Sequence, residues 1–210
     1  MVNMNEKPMV RRNTKENILQ AAIDLFSQNG VSAVSIRDIT RKVGINESSL
    51  YNHFNSKDEL VDIIMEKFKQ ELGNASFEEK NIEEHLAEMG PELFLQHHLL
   101  RLRERITPTI QKIWKIIYME QFRDKRARDI VIKEIIGVPA AYYEKAFTIM
   151  AEKGLIKPNL DPKLLSDEYN YALVAFSLER MLLQTDNEDV MPTVQRMFAH
   201  IKFICEAISK

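Results

Sequence analysis

Polar side chains that can make hydrogen bonds are concentrated on one face of a short segment near the N-terminus, NESSLYNHF. At about 100° per residue on a helix, Leu50 and Phe54 point into a core. The opposite face carries small polar side chains: Ser48, Ser49 and Asn52. We expect this helix to run from Glu47 to about Phe54, and a length of roughly 12 Å suits the major groove of B-DNA. The pattern therefore predicts a short helix whose polar outer face fits the major groove.

The residues on either side predict the helices that position this segment. Ser35 is a good N-cap for a preceding helix whose apolar residues share one face: Ile36, Ile39 and Val43. Gly44 follows that helix, where glycine accepts a left-handed conformation easily, and Asn46 can cap the next one. Residues 56–59, SKDE, form a capping box that opens a further helix to about Leu72. Helix, short turn and second helix make up the helix-turn-helix arrangement.

Four stretches of the sequence carry a family resemblance: AAIDLFSQNG, SIRDI, TRKVGI and LYNHFNSKDEL. They resemble the tetracycline-repressor (TetR) family of bacterial transcriptional regulators over about residues 11–62. The LYNHFNSKDEL stretch is the most specific part of the match. One departure is Thr40, where the family usually has alanine, and a buried threonine hydroxyl can bond back to the preceding turn.

The resemblance implies roles for nine residues. The positions that hold phosphates in the family are Tyr51, His53 and Lys57, and hydroxyl, imidazole and ammonium groups suit that task. The positions that face base edges are Glu47, Ser48, Ser49 and Asn52. The positions that touch DNA at the groove edge are Ser35 and Arg37. The alternative is that this polar face is only a solvated surface.

The fold class that we predict is all-α, because no apolar run alternates with period two as a strand would. Residues 1–12 are expected to be a flexible tail and residues 13–72 a helix-turn-helix DNA-binding domain with a three-helix core. Residues 73–210 are expected to be a helical ligand-binding and dimerisation domain. We expect a connection over 73–80, an interruption at Gly90-Pro91 and a disturbed helix near Gly137-Pro139.

The C-terminal part is rich in methionine and aromatic residues, which suit an adaptable apolar pocket between helices. The family resemblance implies such a pocket, and we expect its walls to include Trp114, Tyr118, Phe122 and Tyr143. The alternative is that these residues form ordinary core. The last two helices have wide apolar faces, which predicts a four-helix bundle with a second copy. The alternative there is a monomer with a deep core.

Composition restricts the remaining classes. The net charge is −2, yet residues 1–57 hold eight Lys/Arg against five Asp/Glu, which suits a protein that meets DNA with one end. The single cysteine, Cys205, rules out an internal disulfide and is expected to be a buried thiol in a reducing compartment. The five histidines are scattered, so no metal site or cofactor is expected. We find no nucleophile spaced with a base, no phosphate loop and no paired carboxylates, so the sequence does not indicate an enzyme.

The sequence therefore predicts a homodimeric, ligand-responsive transcriptional regulator, which we expect to be a repressor. It would bind a palindromic double-stranded DNA operator and be released by a small apolar or amphipathic effector. No signal peptide or membrane span is recognisable, so we expect a bacterial cytoplasmic protein associated with the nucleoid. A second hypothesis keeps the DNA-binding domain and gives the body a protein partner instead of an effector. A third is an all-α enzyme or carrier with a purely structural N-terminal bundle.

Overall fold

The computed structural model describes residues 14–72 and 82–210, and every regular element in these ranges is helical. The predicted all-α class is confirmed. The chain divides into two compact units, of which the first ends at Ile64 and the second begins at Met65. The expectations for the tail over residues 1–12 and the connection over 73–80 lie outside the described residues.

The described part of the first unit contains three helices and the beginning of a fourth: α1 (Thr14–Asn29), α2 (Ile36–Val43), α3 (Glu47–Tyr51) and α4 (Lys57–Leu72). Most of the apolar residues predicted for its core are buried, namely Ile18, Ala22, Phe26, Ile39, Leu50 and Phe54. Leu25, Ile36 and Val43 are only half-buried. Since so small a core gives limited stability, each buried side chain in this unit matters.

Helix α2 begins and ends as its sequence predicts. The Ser35 hydroxyl accepts a bond from the Asp38 backbone N–H, and the Asp38 carboxylate accepts one from the Ser35 N–H at 2.9 Å. Hydrogen bonds from the Ser35 hydroxyl and backbone hold the pKa of Asp38 below its ordinary value. Gly44 ends the helix at φ 78°, a conformation that a residue with a Cβ disfavours. These caps fix the turn that leads into α3.

Helix α3 is shorter than predicted. Asn46 caps it by accepting the Ser49 N–H at 2.7 Å, as expected, but the α-helix ends at Tyr51 after five residues. The chain continues to Phe54 as a turn, in which the Phe54 N–H bonds to the Leu50 carbonyl at 3.0 Å. The next helix begins at Lys57, so the chain has only a few residues in which to change direction.

The predicted capping box at α4 is only half formed. The Ser56 hydroxyl accepts the Glu59 N–H at 3.0 Å, as a capping box requires. The Glu59 carboxylate, however, accepts the backbone N–H of Asn55 at 2.6 Å instead of that of Ser56. The side chain thus reaches one residue further back and closes the turn that follows α3.

Over residues 65–72 and 82–210, the second unit contains the end of α4 and six further α-helices, one of them preceded by a π-helical segment: α5 (Ile82–Arg105), α6 (Pro108–Glu120), α7 (Lys125–Ile130), the π-helical segment (Val131–Gly137), α8 (Val138–Glu152), α9 (Pro162–Thr185) and α10 (Met191–Ile208). Both predicted irregularities occur. Gly90 has φ 74° and kinks α5 just before Pro91. The expected disturbance near Gly137 is the π-helical segment, whose end is marked by a bond from the Val138 N–H to the Lys133 carbonyl.

The core of the second unit is built mainly from α5, α8, α9 and α10. Tyr143, Phe147 and Tyr169 are among its largest fully buried side chains. The two last helices pack on each other, with the Tyr169 ring stacked on that of His200 at 5.8 Å between centroids. Cys205 is buried in this core, as expected, and burial raises the pKa of its thiol to about 12.

Candidate nucleic-acid interface and cavity

On α3 and the turn that follows it, the exposed side chains are polar and the apolar side chains are packed into the core. Leu50 and Phe54 are fully buried, and the Lys15 ammonium lies 5.5 Å from the centre of the Phe54 ring. Four of the residues predicted to contact DNA are exposed: Ser48, Tyr51, Asn52 and His53. Glu47 and Ser49 are half-buried. The structure thus brings these six predicted residues together on one short segment whose anchors are held in the core.

Two predicted DNA contacts pair with each other across the helix-turn-helix. The Arg37 Nε donates to the Glu47 Oε1 at 2.9 Å, and the two side chains are 79% and 44% exposed. An ion pair this exposed contributes about 0–1 kcal/mol, so DNA can compete for the guanidinium at little cost. The pair holds Arg37 at the N-terminal end of α3. Ser35, exposed at the start of α2, has its hydroxyl engaged in the cap described above.

Lys57 occupies an unexpected place for a residue assigned to a phosphate. Its ammonium donates to the backbone carbonyls of Val31 at 3.0 Å and Val34 at 2.9 Å, in the connection between α1 and α2. An ammonium has three donors, so one remains for an anion. The two bonds also explain why a cation is tolerated in the first turn of α4, where the helix dipole disfavours it. Lys57 therefore joins α4 to the α1–α2 connection.

Lys57→Ala is expected to lower the free energy of unfolding by about 1–3 kcal/mol, because two backbone carbonyls lose a charged donor. Urea unfolding measures this loss. Arg41→Ala is the control, since its ion pair with Asp38 at 3.3 Å is exposed, and we expect a change within about 0.5 kcal/mol. Equal stability of the two variants would show that the carbonyl bonds of Lys57 contribute nothing.

The second unit contains a partly open cavity of about 310 Å³. Apolar side chains supply most of its wall, including Phe68 and Leu72 from α4, Leu99 from α5, Leu173 from α9, and Met197 and Phe198 from α10. The volume is at the lower end of the range for small-molecule sites. A concave, mostly apolar site with a few polar groups suits a small amphipathic molecule.

The structure separates the four residues predicted to line a pocket. Trp114 and Tyr143 are in the cavity wall, and the Tyr143 hydroxyl lies 2.9 Å from Nδ1 of His98. Tyr118 is not in the wall, although its ring lies 6.3 Å from that of Trp114. Phe122 is 85% exposed, because it follows the end of α6 in the turn before α7. Tyr118 and Phe122 thus lie outside the wall of this cavity.

Sequence reasoning missed the charged residues of the cavity wall: Arg103, Glu134 and Arg180. A signal for one of them exists in α9. Arg180 follows Leu173 by two helical turns and therefore lies on the same side of the helix as that buried residue. An arginine in line with a buried stripe is unusual enough to mark a site. No comparable signal singles out Arg103.

The described residues contain neither a candidate metal site nor a candidate membrane span. Over 14–72 and 82–210, no three His, Cys, Asp or Glu side chains are grouped so that they could hold a metal ion. Within the same ranges, none of the helices has the length and apolar character needed to cross a membrane.

Comparison with known proteins agrees with the geometry of the first unit. Residues 18–64 match the sequence profile described as bacterial regulatory proteins, tetR family. The HTH-type transcriptional regulator YerO of Bacillus subtilis is 28% identical over 197 residues, which are 85% of this chain and 64% of YerO. The HTH-type transcriptional repressor KstR2 of Rhodococcus jostii is 40% identical over 58 residues, 28% of each chain. The chain thus spans less than two thirds of the length of these two relatives.

Solved structures extend the likeness to the second unit. The SmeT–triclosan complex has a TM-score of 0.64 at 20% identity, over 95% of this chain and 93% of that one. At this identity the likeness shows the fold, which both proteins share over nearly their whole length. The relatives named here are transcriptional regulators and not enzymes, in agreement with the expectation for this chain. The profile match, these relatives and the helix-turn-helix geometry lead to one conclusion: residues 18–64 form a helix-turn-helix unit of the type found in the tetR family of bacterial regulatory proteins.

Proposed function

We propose that this protein is a homodimeric transcriptional repressor that binds a palindromic operator and is released by a small amphipathic effector. The observation that carries the proposal is the polar surface of α3 and the turn after it. Ser48, Asn52 and His53 are exposed there, while Leu50 and Phe54 of the same segment are buried. An anchored helix with a free polar face is the arrangement that enters a major groove. Its DNA-binding residues would be the nine named from the sequence. Because its target is chromosomal DNA, the protein would act in the bacterial cytoplasm, at the nucleoid.

The exposed faces of α9 and α10 support the dimer. On α9, Tyr171, Leu178 and Leu182 recur at intervals of seven and four residues, so they lie along one side of the helix, and all three are exposed. On α10, Phe203 is exposed as well. Large apolar side chains grouped in this way mark interaction surfaces. A second copy applied to α9 and α10 would form a four-helix bundle and give the two-fold symmetry of a palindromic operator.

The cavity favours the hypothesis that the second unit binds a small effector over the hypothesis that it binds a protein partner. An adaptable interaction module would need no internal space, whereas this unit has about 310 Å³ of it. SmeT, which shares the fold, has been solved with triclosan bound. We therefore favour a small molecule that enters the second unit.

Helix α4 is the proposed link between effector and operator. It begins at Lys57, beside the α1–α2 connection, and its last residues include Phe68 and Leu72 of the cavity wall. A molecule that moves these two side chains would move the helix that holds the helix-turn-helix. The shift in operator affinity equals the difference in effector affinity between the two states, typically about 5- to 150-fold.

Selection of bound sequences from random double-stranded DNA tests the proposal. Wild-type protein is expected to enrich a palindrome whose half-sites are about 10 base pairs, or a multiple of that, apart. Asn52→Ala should relax the preference at one position of each half-site, by about 1–3 kcal/mol, if its amide reads a base edge. The control is Gln28→Ala, an exposed amide on α1 outside the proposed interface. Failure of the wild type to retard any DNA at low salt would refute the proposal.

A further inference from the structure

The charged groups in the cavity wall are two arginines and one glutamate, and they carry a net positive charge. Arg103 comes from α5, Glu134 from the π-helical segment and Arg180 from α9. Along α9 the wall begins with Asn170, continues with Leu173 and Val174, and ends with Ser177, Arg180 and Gln184. The last three positions are polar and span about 10 Å at 1.5 Å per residue. The part of the wall formed by the end of α9 is therefore polar and contains an arginine.

Arg180 is held in a place that disfavours its charge. It is half-buried, and burial first, then the nearby positive charge of Arg103, lowers the pKa of its guanidinium. Over residues 14–72 and 82–210, the guanidinium of neither Arg103 nor Arg180 forms an ion pair or a hydrogen bond. Some other arginines in these ranges are paired, as Arg126 is with Asp124 and Arg196 with Glu179. Two neighbouring guanidiniums in a cavity wall are thus left with their hydrogen-bonding capacity unused.

Arg103 is exposed, but the half-buried charge of Arg180 is disfavoured unless an anion pairs with it. A half-buried charge needs a partner, and two like charges side by side repel each other. The five N–H donors of each guanidinium match the geometry of a carboxylate or a phosphate. Glu134, in the same wall, forms no ion pair with either arginine in the described ranges. An anionic group on a ligand would neutralise both arginines at once.

We infer that the effector is an anionic amphiphile, whose acidic head group binds Arg103 and Arg180 while its apolar chain lies against Leu173, Met197 and Trp114. The inference rests on the proposed function and names the chemical class of its effector. A volume of about 310 Å³ corresponds to roughly ten water molecules at about 30 Å³ each, which suits a chain of about ten carbon atoms. A carboxylate and a phosphate share the chemistry that the arginines recognise.

Binding can be followed in the full-length protein by the fluorescence of Trp114, the single tryptophan, which lies in the cavity wall. The probes are decanoate, decyl phosphate, decanol and decyltrimethylammonium, each below its micelle-forming concentration. At least one of the two anions is expected to bind about tenfold or more tightly than decanol, because the anion gains charge-assisted hydrogen bonds. The cation should bind most weakly. The ratio of the affinities for decanoate and decyl phosphate shows which head group the site prefers.

Arg180→Gln and Arg103→Gln provide the decisive comparison. Each is expected to weaken binding of the anion about tenfold or more while leaving decanol within about threefold. Arg101→Gln is the matched control, an exposed arginine of the same helix that is absent from the cavity wall. It should change neither affinity. Retained binding of decanol shows that the cavity of each variant is folded.

The inference is overturned if decanol or the cation binds wild-type protein as tightly as both anions do, or if neither Arg180→Gln nor Arg103→Gln weakens the anion. Absence of any fluorescence or calorimetric response to all four probes also overturns it. These outcomes are distinct from failure of the proposed function, because selection of an operator from random DNA needs no effector. A protein that selects an operator and ignores anions would keep its repressor function and lose only this effector class.

Discussion

Replacing Leu182 with arginine is expected to turn the proposed dimer into monomers and to weaken operator binding by about 100-fold or more. Leu182 is 59% exposed on the face of α9 that also carries Tyr171 and Leu178. In a bundle of two copies this side chain would be enclosed, and an arginine there would bring an unpaired charge into an apolar interface. A monomer holds one half-site at a time and loses the gain of simultaneous binding.

The measurements are sedimentation equilibrium for the oligomeric state and operator titration for affinity. Leu93→Arg is the matched control, because Leu93 is 58% exposed but lies on α5, away from the proposed interface. It should remain a dimer with wild-type affinity. A Leu182→Arg protein that is still dimeric would place the interface elsewhere, and a wild-type monomer that binds a full operator tightly would contradict the dimer proposal altogether.

Features determined by residues within one helical turn were predictable from the sequence. The cap at Ser35, the left-handed residue at Gly44 and the cap at Asn46 each depend on a side chain and a backbone group at most a few residues apart. The kink at Gly90 is equally local. The sequence also predicted where the helical segment between α7 and α8 is disturbed. It did not predict that the disturbance is a π-helical segment, since that depends on which carbonyl accepts the Val138 N–H.

Features that depend on the approach of distant segments were not predictable. The ammonium of Lys57 bonds to Val31 and Val34, which no local pattern indicates. The proximity of Arg103 to Arg180 is equally non-local, because the two residues come from α5 and α9 and meet only in the folded cavity. Phe122 lies outside the cavity wall and is exposed, because it follows the end of α6.

Leu50→Ala is expected to lower the free energy of unfolding by about 2–5 kcal/mol and to abolish operator binding. Leu50 is fully buried and is the fourth of the five residues of α3. A helix this short has no stability of its own, so its position depends on Leu50 and on Phe54 beyond it. At roughly 0.05–0.15 kcal/mol per residue, a unit of about 50 residues has only about 3–8 kcal/mol in total. The Leu50→Ala substitution would therefore remove most of the free energy of unfolding of the first unit.

Tyr51→Ala distinguishes loss of a DNA contact from loss of the buried anchor, because Tyr51 is the residue after Leu50 and is half exposed. It should leave the free energy of unfolding within about 0.5 kcal/mol and weaken binding to all DNA sequences alike, as loss of a phosphate contact does. Urea unfolding and hydrogen exchange of the first unit report stability, and Trp114 reports whether the second unit stays folded. If Leu50→Ala were as stable as Tyr51→Ala and still bound the operator, the polar surface of α3 would not depend on its buried anchor, and the assignment of that surface to DNA would lose its physical basis.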